Sequence, residues 1–93
     1  MERTRYQIAF RDEEAKEQFK SLPKNMKKVI GEAMHERLGS DPLAYGKPLR
    51  HNLRGYRRMR VGRYRVIYKV DEVQMLVIVA LVDHRKDVYG FSP

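Results

Sequence analysis

The 93-residue chain contains no cysteine and no tryptophan, and sets 12 acidic residues against 20 lysines and arginines. Without cysteine there is no disulfide scaffold, no thiolate nucleophile and no Cys-type zinc site. The three histidines, His35, His51 and His84, show neither zinc-finger nor HExxH spacing, so no metal or cofactor is expected. GxGxxG, GxxxxGK and GxSxG are all missing, which removes support for nucleotide hydrolysis and for a serine nucleophile. The longest apolar run, MLVIVALV, falls far short of the ~20 residues that cross a bilayer. MERTRYQ at the start has no apolar core of a leader and no small-residue cleavage site, so a soluble, cytoplasmic protein without membrane contact is expected.

What is abundant is positive charge. The net charge is +8, and residues 48–93 hold ten basic and four acidic residues against ten and eight in residues 1–47. A length of 93 residues predicts one domain, too short for two cores. Periodicity gives its order. Residues 5–10 alternate, with Tyr6, Ile8 and Phe10 on one side, as a half-buried strand should. Asp12 is an N-cap candidate for a helix in which Ala15, Phe19 and Leu22 recur up to Pro23. A second helix is predicted over 24–38, with a stripe of Met26, Val29, Ile30, Ala33, Met34 and Leu38 and Gly39 at its C′ position. Residues 40–55 read as an irregular connection, punctuated by Pro42, Gly46, Pro48 and Gly55. Strands follow at 64–70 and 73–82, the latter buried on both faces, joined by a tight turn at Asp71 and Glu72. The expectation is an α+β fold, β-α-α-β-β-β, with one mainly antiparallel four-stranded sheet and an N-terminal helical hairpin packed on it.

The sheet half opens with RGYRRMRVGRYRVIY, residues 54–68, which has six arginines and no carboxylate. Gly62 can supply the positive φ of a type II′ turn, so Gly62 and Arg63 predict a two-residue hairpin loop. The register then places Val61 opposite Tyr64, Arg60 opposite Arg65, Met59 opposite Val66, Arg58 opposite Ile67 and Arg57 opposite Tyr68. One face carries Met59, Val61, Tyr64, Val66 and Tyr68 as core, with Arg57 at its margin reaching water. The other carries Tyr56, Arg58, Arg60, Arg65, Ile67 and Lys69. Like charges opposite one another across strands are destabilising, which points to an anion neutralising them. A plain solvated face would merely screen the repulsion over about 8 Å. Arginine dominates over lysine, and its planar fork of donors suits phosphate.

Lys47, Arg50, His51 and Arg54 lead into this hairpin, and His84, Arg85, Lys86 and Tyr89 follow the last strand. Such equipment permits a metal-free reaction, attack of an RNA 2′-hydroxyl on its own 3′-phosphate. That reaction needs a base, cations at the charged phosphorane and an acid for the leaving 5′-oxygen. Arg58, Arg60, Arg65 and Arg85 can provide the cations. Tyr56, Tyr89 or His84 can stack on a base or exchange a proton.

YRRMRVGRYRVIYKV, followed after one buried strand by HRKDVY, resembles the RelE/ParE toxin superfamily over essentially the whole chain. The resemblance implies a toxin of a type II toxin–antitoxin pair, its antitoxin a separate chain. RelE-like members enter the ribosomal A site and cut mRNA, leaving a 2′,3′-cyclic phosphate. By similarity Arg65 stabilises the transition state, Arg85 assists or serves as the acid, and Tyr89 orients a base. Arg58 stands where bacterial RelE-like enzymes often carry lysine; arginine is a poor general base, so the implied role of Arg58 is to orient phosphate and the base stays open. Arg54, Tyr56, Arg60, Lys47, Arg50, His84 and Lys86 would bind the RNA. ParE-like members share the fold and poison DNA gyrase by protein contact, the alternative reading. A catalytically dead relative that binds acidic partners is the third.

Overall fold

The computed structural model describes residues 5–84. Its sheet has five strands, not four, in the order β1-β5-β4-β3-β2. These are β1 Gln7–Phe10, β2 Lys47–Pro48, β3 Arg57–Val61, β4 Tyr64–Asp71 and β5 Leu76–Asp83. Neighbours pair antiparallel except the edge strand β1, which runs parallel to β5. The additional strand is β2, two residues paired to Arg57 and Arg58. Two residues are too few to show alternation, and proline, lacking an N–H, fits an edge.

The β3–β4 register is the one the turn dictates, in all five pairs from Arg57↔Tyr68 to Val61↔Tyr64. Gly62 takes φ +61, as the first central position of a type II′ loop requires. The next turn is longer than two residues. Asp71 accepts the Gln74 amide at 3.0 Å and pairs with Leu76, so residues 72–75 form the loop and Val73 is 95 % exposed at its tip.

Helices α1 Glu13–Lys20 and α2 Lys24–Ala33 lie on one face of the sheet. Ile30, Met34 and Leu38 pack there against Met59, Val61, Val66, Tyr68, Val77, Val79 and Val82. Tyr6, Ile8 and Phe10 join this core as their alternation predicts. The helical layer departs from a simple hairpin in two ways. Its second member widens into a π turn over Met34–Leu38, closed by the Gly39 amide on the Met34 carbonyl. Gly39 is helical at φ −67 and is not a left-handed cap; its carbonyl accepts the Tyr6 amide at 2.8 Å, and the Arg5 guanidinium donates to the His35 carbonyl. The second departure is α3, Pro42–Tyr45, within the segment read as irregular.

At the start of α1, Asp12 accepts the Ala15 amide at 2.9 Å and pairs with Arg11 at 2.9 Å. The Ala15 amide, then the Arg11 side chain, hold its carboxyl below the usual range. The folded chain thus binds this proton more weakly than the unfolded chain. The stabilisation is present above the ordinary aspartate pKa of about 3.9 and lost as pH falls through the lower folded value. Asp12→Asn, which keeps a capping oxygen, is expected to melt with a shallower decline below pH 4 than the parent.

The carbonyls at α3 are held from the sheet. Tyr68, fully buried, donates its Oη to the Pro42 carbonyl at 2.6 Å. Arg57, partly exposed at the margin of the core face as expected, also donates to the carbonyls of Leu43 at 2.7 Å and Gly46 at 2.6 Å. A cation at a helix C-terminus satisfies carbonyls that have no intrahelical partner. Burial pushes the Tyr68 phenol up, with Arg57 opposing in part. Its contribution to stability is present below about pH 10 and lost as pH rises through the higher folded value. Tyr68→Phe is expected to lower stability at pH 7 by about 1–2 kcal/mol, because the Pro42 carbonyl loses its donor. Its stability should also vary less between pH 9 and 11, both effects being read from denaturant melts.

Candidate nucleic-acid interface

Strand alternation gathers the cations on the sheet face opposite the helices. Residues paired across strands point to the same side, so Lys47, Arg58 and Ile67 share this face with Leu81, as do Arg60 and Arg65 with Asp83. Asp83 reaches that row through a β-bulge. Tyr68 pairs with Val79 but Ile67 with Leu81, so Ala80 is the extra residue and everything beyond it shifts by one. Without that shift, Val82 would stand opposite Arg65 and Asp83 would turn toward the core.

The cationic face is not uniformly wet. Tyr56, Ile67, Ala80 and Leu81 form a second buried cluster on it, flanked by Leu49. The Tyr56 ring is 4 % exposed, covered by the Lys69 Nζ at 4.6 Å from its centroid, and its Oη accepts from Arg11 at 3.1 Å. Sequence alternation put Tyr56 among the RNA-binding candidates; in the structure its ring is covered and offers no open face to a base. Ile67 likewise belongs to this inner cluster, because Ala80 and Leu81 both turn toward it at the bulge.

Around the cluster the candidates separate into neighbouring hollows. Arg65 and His84 line one of about 570 Å³ beside the hairpin loop, together with Gly62 and Arg63. His84 is exposed, its Nδ1 3.2 Å from Asp83 Oδ1 and its ring 5.6 Å from that of Tyr64. Arg58 and Arg60 line a second hollow, of about 360 Å³, with Lys47 and Tyr45. Arg50 lies along a third with Lys47, His51 and Arg58, while Arg54 is exposed just past the 3-10 turn His51–Leu53 and borders neither of the first two. Arg85, Lys86 and Tyr89 lie outside the described residues.

Arg60 of the second hollow stands directly opposite Arg65 of the first, on the neighbouring strand about 4.8 Å away. Among the described residues no carboxylate is paired with Lys47, Arg58 or Arg60, and no three His, Asp or Glu side chains converge to hold a metal ion. No helix among them is long and apolar enough to cross a membrane. The arrangement is a track of guanidinium and ammonium donors with an imidazole at one end and a phenol at the other. Sequence reasoning missed Tyr45, whose orientation follows from α3; its signal was an aromatic two residues ahead of Lys47.

The family model described as the ParE toxin of type II toxin–antitoxin system parDE matches residues 9–89. Toxin RelG of Mycobacterium tuberculosis is 36 % identical over 75 residues, 81 % of this chain and 86 % of that protein. Among solved structures, the toxin–antitoxin complex RelBE2 of M. tuberculosis has a chain 32 % identical with a TM-score of 0.82, over 92 % of this chain and 98 % of that one. The isolated Escherichia coli RelE toxin is 25 % identical with a TM-score of 0.70, over 90 % of each chain. With a family model matched along most of its length, and with these relatives, the chain belongs to the RelE/ParE superfamily of type II toxin–antitoxin toxins.

Proposed function

We propose that this toxin is a ribosome-dependent mRNA endoribonuclease that acts in the cytoplasm, is held in check by a cognate antitoxin chain, and stops translation by cutting the message in the A site. The observation that carries this reading is the joining of Arg65 and His84 around one hollow, with Arg60 facing Arg65 and Arg58 beside it. A 2′-oxygen attacking the adjacent phosphorus builds negative charge on the phosphoryl oxygens, which Arg65 is placed to neutralise; Arg58 orients the phosphate. His84 borders the same hollow, its Nδ1 3.2 Å from Asp83 Oδ1, and is the candidate to stack on a base or to exchange a proton. The chemistry calls for a base, cations and an acid, and no metal. Arg85 as acid or its assistant and Tyr89 as the residue orienting a base complete the assignment by family resemblance.

The test adds purified protein to a cell-free translation reaction and maps transcript ends by primer extension. Cuts within translated codons, bearing 2′,3′-cyclic phosphate, support the proposal. The family model bears the ParE name, so a second reading is gyrase poisoning by protein contact. Intact message together with trapped gyrase–DNA complexes would move the protein to that class.

A further inference from the structure

Tyr45 is 53 % exposed, and it is the aromatic one among the strongly exposed large apolar side chains Val29, Leu43, Tyr45 and Val73 of the described residues. Its position is fixed although its ring is not covered. Tyr68 holds the first residue of α3 through the Pro42 carbonyl, and Arg57 holds the Leu43 and Gly46 carbonyls on either side of Tyr45. Around the same hollow of about 360 Å³ stand Lys47, Arg58 and Arg60. Lys47 and Arg58 are paired across β2 and β3, and Arg60 is the next residue of β3 on that face. An open aromatic ring on a held backbone, beside three cations that have no carboxylate partner among the described residues, matches a nucleotide, with a base for the ring and a phosphate for the cations.

Resting on the reading of the protein as an RNA-cutting toxin, we infer that Tyr45, Lys47, Arg58 and Arg60 form a subsite for a flanking nucleotide of single-stranded RNA. The base stacks on Tyr45 and its phosphate is held by Lys47 and Arg60. Arg58, shared with the phosphate-orienting role, joins this subsite to the Arg65 hollow, so one strand of RNA crosses β2, β3 and β4 in passing from one to the other. Stacking accepts any base, so the subsite adds affinity and positioning and does not choose a sequence.

The test uses a short 2′-O-methylated oligoribonucleotide, which lacks the attacking hydroxyl, and reads its affinity by fluorescence anisotropy over a series of salt concentrations. Tyr45→Ala and Tyr45→Leu should each weaken binding about tenfold, in line with one lost base stack, while Tyr45→Phe stays within twofold of the parent. The salt slope should be unchanged in the Tyr45 variants and reduced by about 0.7 in Lys47→Ala, one phosphate contact fewer. Melting curves establish that each variant is folded. Affinity within twofold in Tyr45→Leu, with translated message still cut, overturns the subsite and leaves the nuclease reading intact. Tyr45-dependent binding without message cleavage retains the subsite and overturns the nuclease. Absence of oligoribonucleotide binding overturns the subsite whatever the message shows.

Discussion

Arg65→Ala is expected to cut transcripts in a translating extract about 10²–10³-fold more slowly than the parent, the loss typical of removing one donor aimed at a developing oxyanion. The size of the effect follows from where Arg65 sits. It borders the hollow that holds His84 and faces Arg60 on β3 and Asp83 on β5, whereas Arg63, the other described guanidinium at that hollow, belongs to the hairpin loop. Arg65→Lys should recover only part of the rate, because an ammonium keeps the charge and loses the planar fork. Loss of a cross-strand charge pair with Asp83 is worth roughly 0.2–1 kcal/mol, too little to unfold a domain. Activity should therefore fall while the melting temperature moves by only a few degrees. Cleavage within threefold of the parent would remove Arg65 from the chemistry.

Gly46→Ala is expected to be the most disruptive small substitution. A Cβ at Gly46 would lie 2.0 Å from the Tyr68 Oη and 2.8 Å from its Cζ. The far end of a flexible chain could give way, but Tyr68 is fully buried in the main core and its hydroxyl is committed to the Pro42 carbonyl. Overpacking of this kind costs about 1–3 kcal/mol and often more when the neighbour cannot move. A loss of about 3 kcal/mol is expected in denaturant melts. Combining it with Tyr68→Phe should destabilise less than the sum of the two, since the phenylalanine removes the nearest obstructing atom. Strict additivity would show that the turn relieves the clash by moving α3 away.

The hairpin was legible because a glycine at its tip fixes the register and alternation does the rest. That alone places Arg58, Arg60 and Arg65 on a common face, before any tertiary contact is known. Other features left no local trace. Residues 75–82 are apolar on both sides, so nothing in the run marks Ala80 as the residue that belongs to no pair. Lys47–Pro48 is too short for a period to register, and its pairing with β3 depends on the chain returning from α3. Tyr56 alternates with arginines and so reads as part of their surface. Its ring is covered by Lys69 and by the cluster it forms with Ile67, Ala80 and Leu81, all distant from it in the chain. Tyr45 is exposed for the complementary reason, since the groups that fix α3 are backbone carbonyls. Sequence reports what side chains want and says little of where carbonyls point.

Ala80 gives the last strand a change of parity. Up to Val79 the chain keeps odd-numbered residues inward; past Ala80 it is Val82, an even one, that enters the core, and Asp83 emerges beside the arginines. A strand that began as pure hydrophobic ballast thus ends as part of a polar surface without leaving the sheet. A further residue inserted between Val79 and Leu81 would exchange those two roles, leaving a neutral valine opposite Arg65.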